Sequence, residues 1–534
     1  MSVVVDNVNY PLESNKTFPI IFSGKAPLAQ SGYSYAKMYA SNDSSLMEPF
    51  LRQPVSESTP HEFFNRTWNT HENGKFPQVY SPLDTIHRIE SNLHKDNEIP
   101  TIHIVGNATM LNLMQTNTTS DMSVDTNISY VSLHDAFQYE DVKISLAGHA
   151  ARMLPKLSYN LKLKKKDSLY GYRRLKLRSL ALDPSFIREQ ISYDFIKSMG
   201  LISSEFSFVR VFMNDQELGL FGIIDTFKSG WLSNVFANGR SSYDNGYLYQ
   251  GLSGSGNATS DLSYHENSTI YTEGQYKIKV KASGGKKNNY DPLIEFTKFI
   301  ADAPTNGTDT IKKWNEKFDV DSFLRFTTLE VLTGYADGYL ATSNNFYVYQ
   351  NPDSGKFTYI CADMDLTFGN SMIFLSKLWS GNYTAYPGMT TQPLSKQLLQ
   401  ISEFNERLNQ MVQNVTAQLV NPDVTNTRID SLTNMIREDV EWDNHLLDLK
   451  LDAILSVISI ENITDILDNA ADATSTDNNL KDFSMRFIQK ISFDTAVNGP
   501  TGHPSLAGVK EWINAVYQNT TQFYSQEKQI TINL

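Results

Sequence analysis

Hydrophobic residues in the first quarter of the chain recur in short runs that alternate with polar residues. Examples are TIHIVG at residues 101–106 and NISYVSL at residues 127–133. Clusters of Asn, Ser, Pro and Gly separate these runs, and alternation bounded by such residues is typical of β-strands. We therefore expect residues 1–140 to form a β-rich module.

The next segment changes from strands to a helix and back to strands. KISLAG and SYNLKLK predict two strands around a turn at Gly148, because glycine tolerates the backbone of a tight turn. RRLKLRSL then alternates basic and apolar residues like a half-buried strand. A helix follows, which Asp183 can cap, Pro184 can begin and Gly200 can end. Two more strand-like runs complete the order of a small nucleotide-binding lobe at residues 141–290.

Longer helical patterns dominate after residue 290. DSFLRFTTLEVLTGYADG and PLSKQLLQISEFNERLNQMVQNVTAQLV repeat apolar residues with helical spacing. One pair of strands interrupts them, in NNFYVYQNPDSGKFTYICADMD, with a turn at NPDSGK. We expect residues 291–534 to form a mainly helical large lobe with this hairpin and C-terminal helices. The predicted fold class is therefore α+β.

Composition indicates an ordinary folded protein and argues against two kinds of partner. Of the 534 residues, 40% are hydrophobic and 20% are charged. Asp and Glu together number 59 against 46 Lys and Arg, which gives a net charge of -13. An acidic chain does not predict a nucleic-acid partner. No run approaches the roughly 18 apolar residues of a membrane span, so no span is expected.

Features related to cellular location point in two directions. The single cysteine, Cys361, excludes an internal disulfide and suits a reducing compartment. Asn-X-Ser/Thr sequons, however, recur from Asn15 to Asn519 and favour a secreted glycoprotein. MSVVVDNVNY does not resemble a signal peptide, and EKQITINL does not resemble an anchor. We expect a secreted or cell-surface protein whose signal peptide and any anchor are absent from this chain.

Two carboxylates at the end of a predicted core strand give the strongest chemical signal. FTYICADMDLTFGN contains Asp363 and Asp365, and carboxylates in such a place need a lysine, an arginine or a divalent cation as partner. Antiparallel pairing of the hairpin brings Asn345 and Asp363 to the same end. Two aspartates and one asparagine suit Mg²⁺ or Mn²⁺. Asp337, just before the hairpin, is free to orient an attacking hydroxyl group.

Four stretches between residues 143 and 370 carry a family resemblance. They are LAGHAARMLPKLSYNLKLKKKDSLYGYRRLKLRSLALDPSFIREQISYDF, VFMNDQELGLFGIIDTF, GYLYQG and YADGYLATSNNFYVYQNPDSGKFTYICADMDLTFG. They resemble the CotH family of spore-coat atypical protein kinases and their mucoralean fungal relatives, with DPSFIRE and DMDLTFG as the most specific parts. The resemblance implies an atypical protein-kinase-like bilobal fold and ATP as a substrate.

The resemblance also implies roles for the acidic residues. Asp337 matches the catalytic-loop aspartate of the family, and Asn345 matches its metal-binding asparagine. Asp363 corresponds to the aspartate of the DFG-like element. Asp365 is the second aspartate of the D-x-D-x-x-F-G pattern, and we expect it to take a supporting or secondary metal role.

Nucleotide-binding residues follow from the same resemblance. Gly148 looks like the glycine of the turn that covers the phosphates. Lys156 and Lys162 are similar to basic positions that face the phosphates, and Glu189 lies on the helix that would orient such a lysine. The turn departs from the family pattern R-G-x-S-S-x-x-x-P-K-K, because alanine replaces its arginine and its small hydroxyl residues and leucine replaces one lysine. We therefore expect phosphate binding to be weaker or differently shared.

Three functions are compatible with these patterns. The favoured one is a protein Ser/Thr kinase that depends on ATP and on Mg²⁺ or Mn²⁺ and acts on secreted or surface proteins. The second is binding of a host-cell receptor with little or no catalysis, since fungal members of the family are regarded as invasins. The third is a nucleotide-sugar transferase, because D-x-D after an apolar strand is also a glycosyltransferase motif. The following FG, together with Asp337 and Asn345, favours the kinase.

Overall fold

The computed structural model describes residues 1–38, 45–148, 150–253, 259–455, 478–486 and 489–532. These residues form a small N-terminal sheet, a closed β-barrel, a second sheet and a mainly helical region. The mixture of helices and strands agrees with the predicted α+β class.

The N-terminal residues form a small antiparallel sheet with its own apolar centre. Its four strands are β1 (Ser2–Val5), β2 (Val8–Pro11), β5 (Tyr33–Met38) and β6 (Ser45–Met47), and β3 (Glu13–Ser14) and β4 (Phe22–Ser23) form a separate two-stranded sheet between them in the chain. β2, β1, β5 and β6 are neighbours in that order, and β3 pairs with β4. Val3, Val5 and Tyr33 fill the centre. The hydroxyl groups of Tyr33 and Tyr35 donate hydrogen bonds to Glu62.

A closed barrel follows. Its strands are β7 (Thr101–Gly106), β8 (Ser123–Val131), β9 (Ala136–Leu146), β10 (Tyr159–Lys162), β11 (Arg174–Arg178), β12 (Phe206–Met213) and β13 (Gln216–Asp225). They close in the order β10–β11–β13–β12–β7–β8–β9, and only the β7–β12 pair of this barrel is parallel. Apolar residues at alternate positions fill the interior, such as Ile102 and Ile104 of β7 and Leu175 and Leu177 of β11.

A second, antiparallel sheet contains the predicted hairpin. Its strands are β14 (Leu248–Gly251), β15 (Tyr276–Val280), β16 (Phe346–Gln350) and β17 (Phe357–Cys361), in the order β15–β14–β16–β17. The predicted hairpin is β16–β17, in which Phe346 lies opposite Cys361. Asp363 and Asp365 follow the end of β17, and that end lies next to the start of β16.

Helices make up most of the remaining structure. They are α1 (Ala108–Thr116), α2 (Arg188–Ser198), α3 (Ser229–Phe236), α4 (Asp291–Asp302), α5 (Thr310–Lys317), α6 (Val320–Thr333), α7 (Tyr339–Thr342), α8 (Leu375–Leu378), α9 (Pro393–Leu399), α10 (Ser402–Gln418), α11 (Pro422–Leu455), α12 (Asn478–Met485), α13 (Phe493–Asn498) and α14 (Val509–Ile532). In the described part of the chain, no helix is both long and apolar enough to cross a membrane.

The strand pairing differs from the predicted division of the chain at residues 140 and 290. β9 itself crosses residue 140, and β7, β8 and β9 close one barrel with strands that come later. Likewise β14 and β15, before residue 290, pair into one sheet with β16 and β17. Alternation of apolar and polar residues indicates that a segment is a strand but does not show which strand it pairs with. The predicted boundaries at residues 140 and 290 therefore cut through the barrel and through the second sheet.

Helix α2 begins later than the sequence signals suggested. Asp183 accepts hydrogen bonds from the backbone nitrogens of Ser185 and Arg188, at 2.9 and 2.8 Å. It therefore stabilises a turn in front of the helix, which starts at Arg188. Gly200 follows the helix with a φ of 65°, as expected for a residue that ends a helix.

Helix α11 connects the helical region to the barrel through buried charges. Asp439 contacts Nε of Arg210 on β12 and lies 3.2 Å from Nη2 of Arg66. One turn further along α11, Asp443 contacts the ammonium group of Lys156. These side chains are all at most 9% exposed. Because a buried charge without a partner is costly, the pairs fix α11 on the barrel.

Loss of Asp439 should strongly destabilise the fold. Asp439→Ala leaves two buried guanidinium groups without their shared carboxylate, so we expect the free energy of unfolding to fall by roughly 3–5 kcal/mol. Urea denaturation followed by circular dichroism measures this. The matched control is Asp430→Ala on the same helix. The side chain of Asp430 is 56% exposed and pairs with Lys510, and such a surface ion pair should contribute at most about 1 kcal/mol to the free energy of unfolding. Equal losses in the two variants would contradict the assignment.

Candidate functional site

Asn345 and Asp363 lie side by side where hairpin β16–β17 ends. The backbone nitrogen of Ala362 donates to the carbonyl oxygen of Asn345 at 3.0 Å, as antiparallel pairing predicts. Both residues adopt the left-handed backbone region, with φ of 51° at Asn345 and 62° at Asp363. Asparagine and aspartate adopt this region more readily than other residues except glycine. Both residues therefore turn the chain out of its strand at the same end of the hairpin.

Asp337 lies between α6 and α7, and its carboxylate is surrounded by donors. The side-chain nitrogens of Asn345 and Asn344 donate to it at 2.6 and 3.2 Å. The hydroxyl group of Thr342 donates at 3.1 Å. Burial raises the pKa of Asp337, although these donors oppose the rise. Asn345 thus links the carboxylate of Asp337 to the backbone beside Asp363.

Arg178, the last residue of β11, supplies the positive charge that the two aspartates need. Its Nη2 contacts Oδ1 of Asp363 and lies 3.0 Å from Oδ2 of Asp365. Its Nε donates to Oε2 of Glu189 on α2 at 2.9 Å. Lys176 adds a weaker contact, with Nζ 3.9 Å from Oδ2 of Asp363. Of the three counter-charges that the sequence left open, an arginine is the direct partner in this structure.

The two aspartates of the D-x-D have opposite pKa shifts. Burial raises the pKa of Asp365, and the attraction of Arg178 does not compensate for it. Burial also acts on Asp363, but Arg178, Lys176 and Lys279 outweigh it and lower its pKa to about 2. Asp363 is therefore ionised throughout the neutral range and is the better ligand for a cation.

Four lysines on neighbouring elements form what we call the lysine row: Lys176 on β11, Lys228 after β13, and Lys277 and Lys279 on β15. Two of them, Lys176 and Lys279, act directly on Asp363 and help to lower its pKa. Burial and then repulsion from the other three lower the pKa of Lys279 to about 8. Burial likewise lowers the pKa of Lys176 and of Lys228. Within the part of the chain that the structure describes, the only ion pair of this row is the 3.9 Å contact between Lys176 and Asp363. The row therefore holds positive charge that protein carboxylates largely leave unneutralised.

The Gly148 loop leaves the barrel at the same end as Arg178. Gly148 has a φ of 73°, which favours glycine. Ala147 donates its backbone N–H to the carbonyl oxygen of Ser158 at 2.8 Å and so closes the base of the loop. The hydroxyl oxygen of Ser158 accepts from the backbone of Ser179, next to Arg178, at 3.0 Å. The predicted phosphate-covering loop thus starts beside the acidic residues.

Lys156 and Lys162 do not join this cluster, contrary to the expectation from sequence. The ammonium group of Lys156 is buried against Asp443, which lies 287 residues later in the chain. Lys162 lies opposite Arg174 in the β10–β11 pair, at the other end of β11 from Arg178. Four residues of strand correspond to roughly 13 Å. The sequence could not reveal either placement, because both depend on tertiary contacts.

Glu189 orients an arginine rather than a lysine. Its Oε2 accepts from Arg178, while its Oε1 is buried without a hydrogen-bond partner among the described residues. Arg178 was missed as a site residue, although a signal was present. Alternate positions of RRLKLRSL place Arg174, Lys176 and Arg178 on the face opposite the apolar residues that fill the barrel. A basic stripe on a strand next to an acidic motif could have been recognised.

Oxygen donors for a divalent cation are present, although they are not assembled as a ready-made site. Among the described residues, no group of three or more His, Cys, Asp or Glu side chains is placed to hold a metal. The carboxylate of Asp363 keeps 36% exposure. The amide nitrogen of Asn345 is engaged by Asp337, which leaves its oxygen for a cation. These donor types fit Mg²⁺ or Mn²⁺, and a cation at Asp363 competes with Arg178.

Arg188 joins the two most specific motifs. Its side chain is fully buried, and its Nη1 contacts the carboxylate of Asp183. Its Nε donates to the carbonyl oxygen of Phe368 at 3.4 Å, and its Nη2 donates to that of Ala507 at 2.6 Å. The DPSFIRE turn therefore fixes the FG end of the D-x-D-x-x-F-G run, and with it the position of both aspartates.

A comparison with family models decides the relationship of the chain. The model described as CotH kinase protein matches residues 144–469, more than half of the chain. The chain belongs to the CotH family. The resemblance seen in the DPSFIRE and DMDLTFG motifs is thereby confirmed.

Curated relatives within the CotH family come from a fungus and a bacterium. Invasin CotH3 of Rhizopus delemar is 25% identical over 407 residues, which are 74% of this chain and 65% of that protein. Spore coat protein homolog 1 of the same fungus is 24% identical over 432 residues, 80% of this chain and 68% of that protein. Inner spore coat protein H of Bacillus subtilis is 22% identical over 308 residues, 57% of this chain and 78% of that protein. The chain thus spans slightly less than two thirds of the invasin.

A solved structure also shows a distant likeness. The crystal structure of a Helicobacter pylori proinflammatory kinase, CtkA, aligns with 55% of this chain and 95% of that one, at 12% identity and a TM-score of 0.21. At that TM-score the likeness supports no conclusion about fold or activity.

A buried glutamate ties the Asp337 loop of this CotH protein to strand β17. Glu330 on α6 is 2% exposed. It accepts from the hydroxyl group of Tyr359 at 2.7 Å and from the backbone nitrogen of Leu340 at 3.0 Å. Leu340 closely follows Asp337, and Tyr359 closely precedes Asp363, so one carboxyl group positions both halves of the site. Burial raises the pKa of Glu330 to about 7.

The raised pKa of Glu330 predicts a pH dependence of stability. Its pKa in the folded protein, about 7, lies above the usual 4.5. Its neutral form therefore stabilises the fold fully below pH 4.5, and this contribution is lost as the pH rises towards 7. Glu330→Gln cannot ionise, so its melting temperature should rise relative to wild type across that window. Scanning calorimetry at several pH values measures the difference.

The control for this experiment is an exposed glutamate. Glu316 is 60% exposed on α5, and Glu316→Gln should track wild type at every pH. If the Glu330→Gln difference did not change with pH, folding would not shift the pKa of Glu330, and the assignment would be wrong.

Proposed function

We propose that this protein is a protein Ser/Thr kinase of the CotH type that uses ATP with Mg²⁺ or Mn²⁺. The observation that carries the proposal is the lysine row, which holds unneutralised positive charge beside Asp363. A triphosphate supplies the missing negative charge, and lysine clamps on transferring phosphates are a main source of rate in phosphoryl transfer.

The lysine row replaces the phosphate ligands that the sequence suggested. Lys176 and Lys279 are the best candidates. Burial and then repulsion lower the pKa of each, from Arg178 at Lys176 and from the other three lysines at Lys279, and a bound anion relieves both effects. Lys156 and Lys162 are therefore not assigned to the phosphates. The Gly148 loop keeps its proposed role of covering them.

Asp363 and Asn345 are the proposed ligands of the divalent cation, with Asp365 in a supporting role. The cation would neutralise phosphate charge as the terminal phosphoryl group is transferred. Arg178 holds Asp363 and Asp365 in place, and Glu189 fixes the guanidinium group of Arg178 from α2. These contacts prepare the acidic pair before any ligand arrives.

Asp337 is the proposed acceptor of the proton from the substrate hydroxyl group. Burial raises its pKa, which makes the carboxylate a better base than an exposed aspartate. Asn344 and Asn345 donate to it and so hold its orientation. The acceptor class is serine or threonine of secreted or surface proteins, which agrees with the coat and invasin names of the relatives.

Adhesion to a host-cell receptor is the second candidate. Relatives named invasins favour it. So do large apolar side chains exposed around the N-terminal sheet, at Met38, Leu46, Met47 and Leu51, because such side chains suit a protein partner. The nucleotide-sugar transferase depended on D-x-D alone, and membership of the CotH family favours the other two.

Replacement of Asp337 tests the kinase proposal directly. Asp337→Asn keeps the shape but removes the proton acceptor, so phosphate transfer should fall by roughly 10²–10⁴-fold while ATP binding persists. Transfer of labelled γ-phosphate to dephosphorylated casein measures the rate, and calorimetric titration measures ATP binding. The control is Asp353→Asn, an exposed aspartate in the hairpin turn, which should behave like wild type.

Two outcomes contradict the proposal in different ways. Equal transfer by wild type and Asp337→Asn removes Asp337 from the proposed role. Wild-type protein that neither binds ATP nor transfers phosphate contradicts the kinase itself and leaves adhesion as the function.

A further inference from the structure

Strand β14 ends beside the Asp337 loop. Gly251, its last residue, lies opposite Phe346, the first residue of β16. Two residues further, the backbone nitrogen of Ser253 donates to the side-chain oxygen of Asn344 at 3.2 Å. The chain therefore carries a serine to the edge of the site where the proposed proton acceptor lies.

A single amide group separates this serine from the proposed base. Asn344 accepts from Ser253 with its oxygen and donates with its nitrogen to Oδ1 of Asp337 at 3.2 Å. These two hydrogen bonds tie the backbone nitrogen of Ser253 to the carboxylate of Asp337 across one side chain. The hydroxyl group of Ser253 is carried by the same residue, so its approach to Asp337 needs only a side-chain rotation and not a diffusional encounter.

Ser260 and Asp261, a few residues after Ser253, also contact the segment that follows Asp337. The hydroxyl group of Ser260 donates to the carbonyl oxygen of Ser343 at 2.5 Å, and that of Tyr339 donates to the carbonyl oxygen of Asp261 at 2.9 Å. Ser260 is fully buried and its hydroxyl is occupied. Ser253 differs, since its contact to Asn344 uses the backbone nitrogen, and no described residue is seen to accept from its hydroxyl group.

We propose that Ser253 accepts a phosphoryl group from ATP bound in the same molecule, which makes it a site of intramolecular autophosphorylation. The proposal rests on the kinase function proposed above. The oxygen of Ser253 bonds to the γ-phosphorus, the bond from that phosphorus to the β–γ bridging oxygen breaks, and ADP leaves with the electron pair. The hydroxyl proton passes to Asp337. The products are phosphoserine and ADP, so no further reactant is needed.

The experiment maps phosphate on the full-length chain. The purified protein is dephosphorylated, incubated with ATP and Mn²⁺ at several protein concentrations, and digested for phosphopeptide mass spectrometry. We expect phosphate on Ser253, with a rate constant that does not change with protein concentration. The Ser253→Ala variant should incorporate at least about tenfold less phosphate than wild type. The Ser253→Thr variant, which keeps a hydroxyl group, should incorporate about as much as wild type. Asp337→Asn should remove it.

The matched control is Thr259→Ala, since Thr259 is an exposed hydroxyl residue on the returning side of the same segment, and this variant should incorporate as much phosphate as wild type. Dephosphorylated casein serves as an external acceptor in parallel. Casein phosphorylated while Ser253 stays unmodified overturns the Ser253 assignment and leaves the kinase intact. A rate constant proportional to protein concentration overturns the intramolecular step. Phosphate on neither casein nor the chain overturns both proposals.

Discussion

The guanidinium group of Arg178 is the contact on which the geometry of the site depends. It brings together three elements that are distant in sequence: strand β11, helix α2 through Glu189, and the end of β17 through Asp363 and Asp365. Each of these groups would be costly to bury without its partners. Together they neutralise much of one another's charge and hold the D-x-D in one orientation. The second fixed point is Arg188, which holds the FG end of the same run through Phe368.

The sequence predicted those parts of the site that depend on local structure. Asn345 and Asp363 are brought together by the register of one hairpin, which a turn motif and two strand patterns are enough to predict. Lys156 and Lys162 were placed incorrectly because their surroundings come from distant parts of the chain: Lys156 meets a carboxylate 287 residues later. The same reason explains the domain boundaries, since β7 closes the barrel through a parallel pairing with β12 that no local pattern records. The basic stripe that includes Arg178 was visible in the alternation of one strand and could have been used.

Charge balance explains how the two sides of the site differ. On the acidic side, Arg178 and the donors around Asp337 satisfy the carboxylates before any ligand is present. On the basic side, the lysine row is left largely without carboxylate partners, and burial and then repulsion from the other three lysines lower the pKa of Lys279. A site of this kind favours a ligand that brings negative charge to the lysines and a cation to Asp363. A nucleoside triphosphate with its bound metal ion provides both. Adhesion by the exposed apolar residues of the N-terminal sheet does not conflict with this chemistry, because those residues lie on a different sheet.

The most direct test of this account is a calorimetric titration of the wild-type protein with ATP, ADP and AMP in the presence of Mn²⁺. If the lysine row exists to bind phosphates, affinity should fall with each phosphate removed, by about tenfold or more between ATP and AMP, which corresponds to about 1.4 kcal/mol. Equal affinity for ATP and AMP would show that the phosphates beyond the first contribute nothing, and absence of ATP binding would show that the protein has no nucleotide site. Either result would contradict the account.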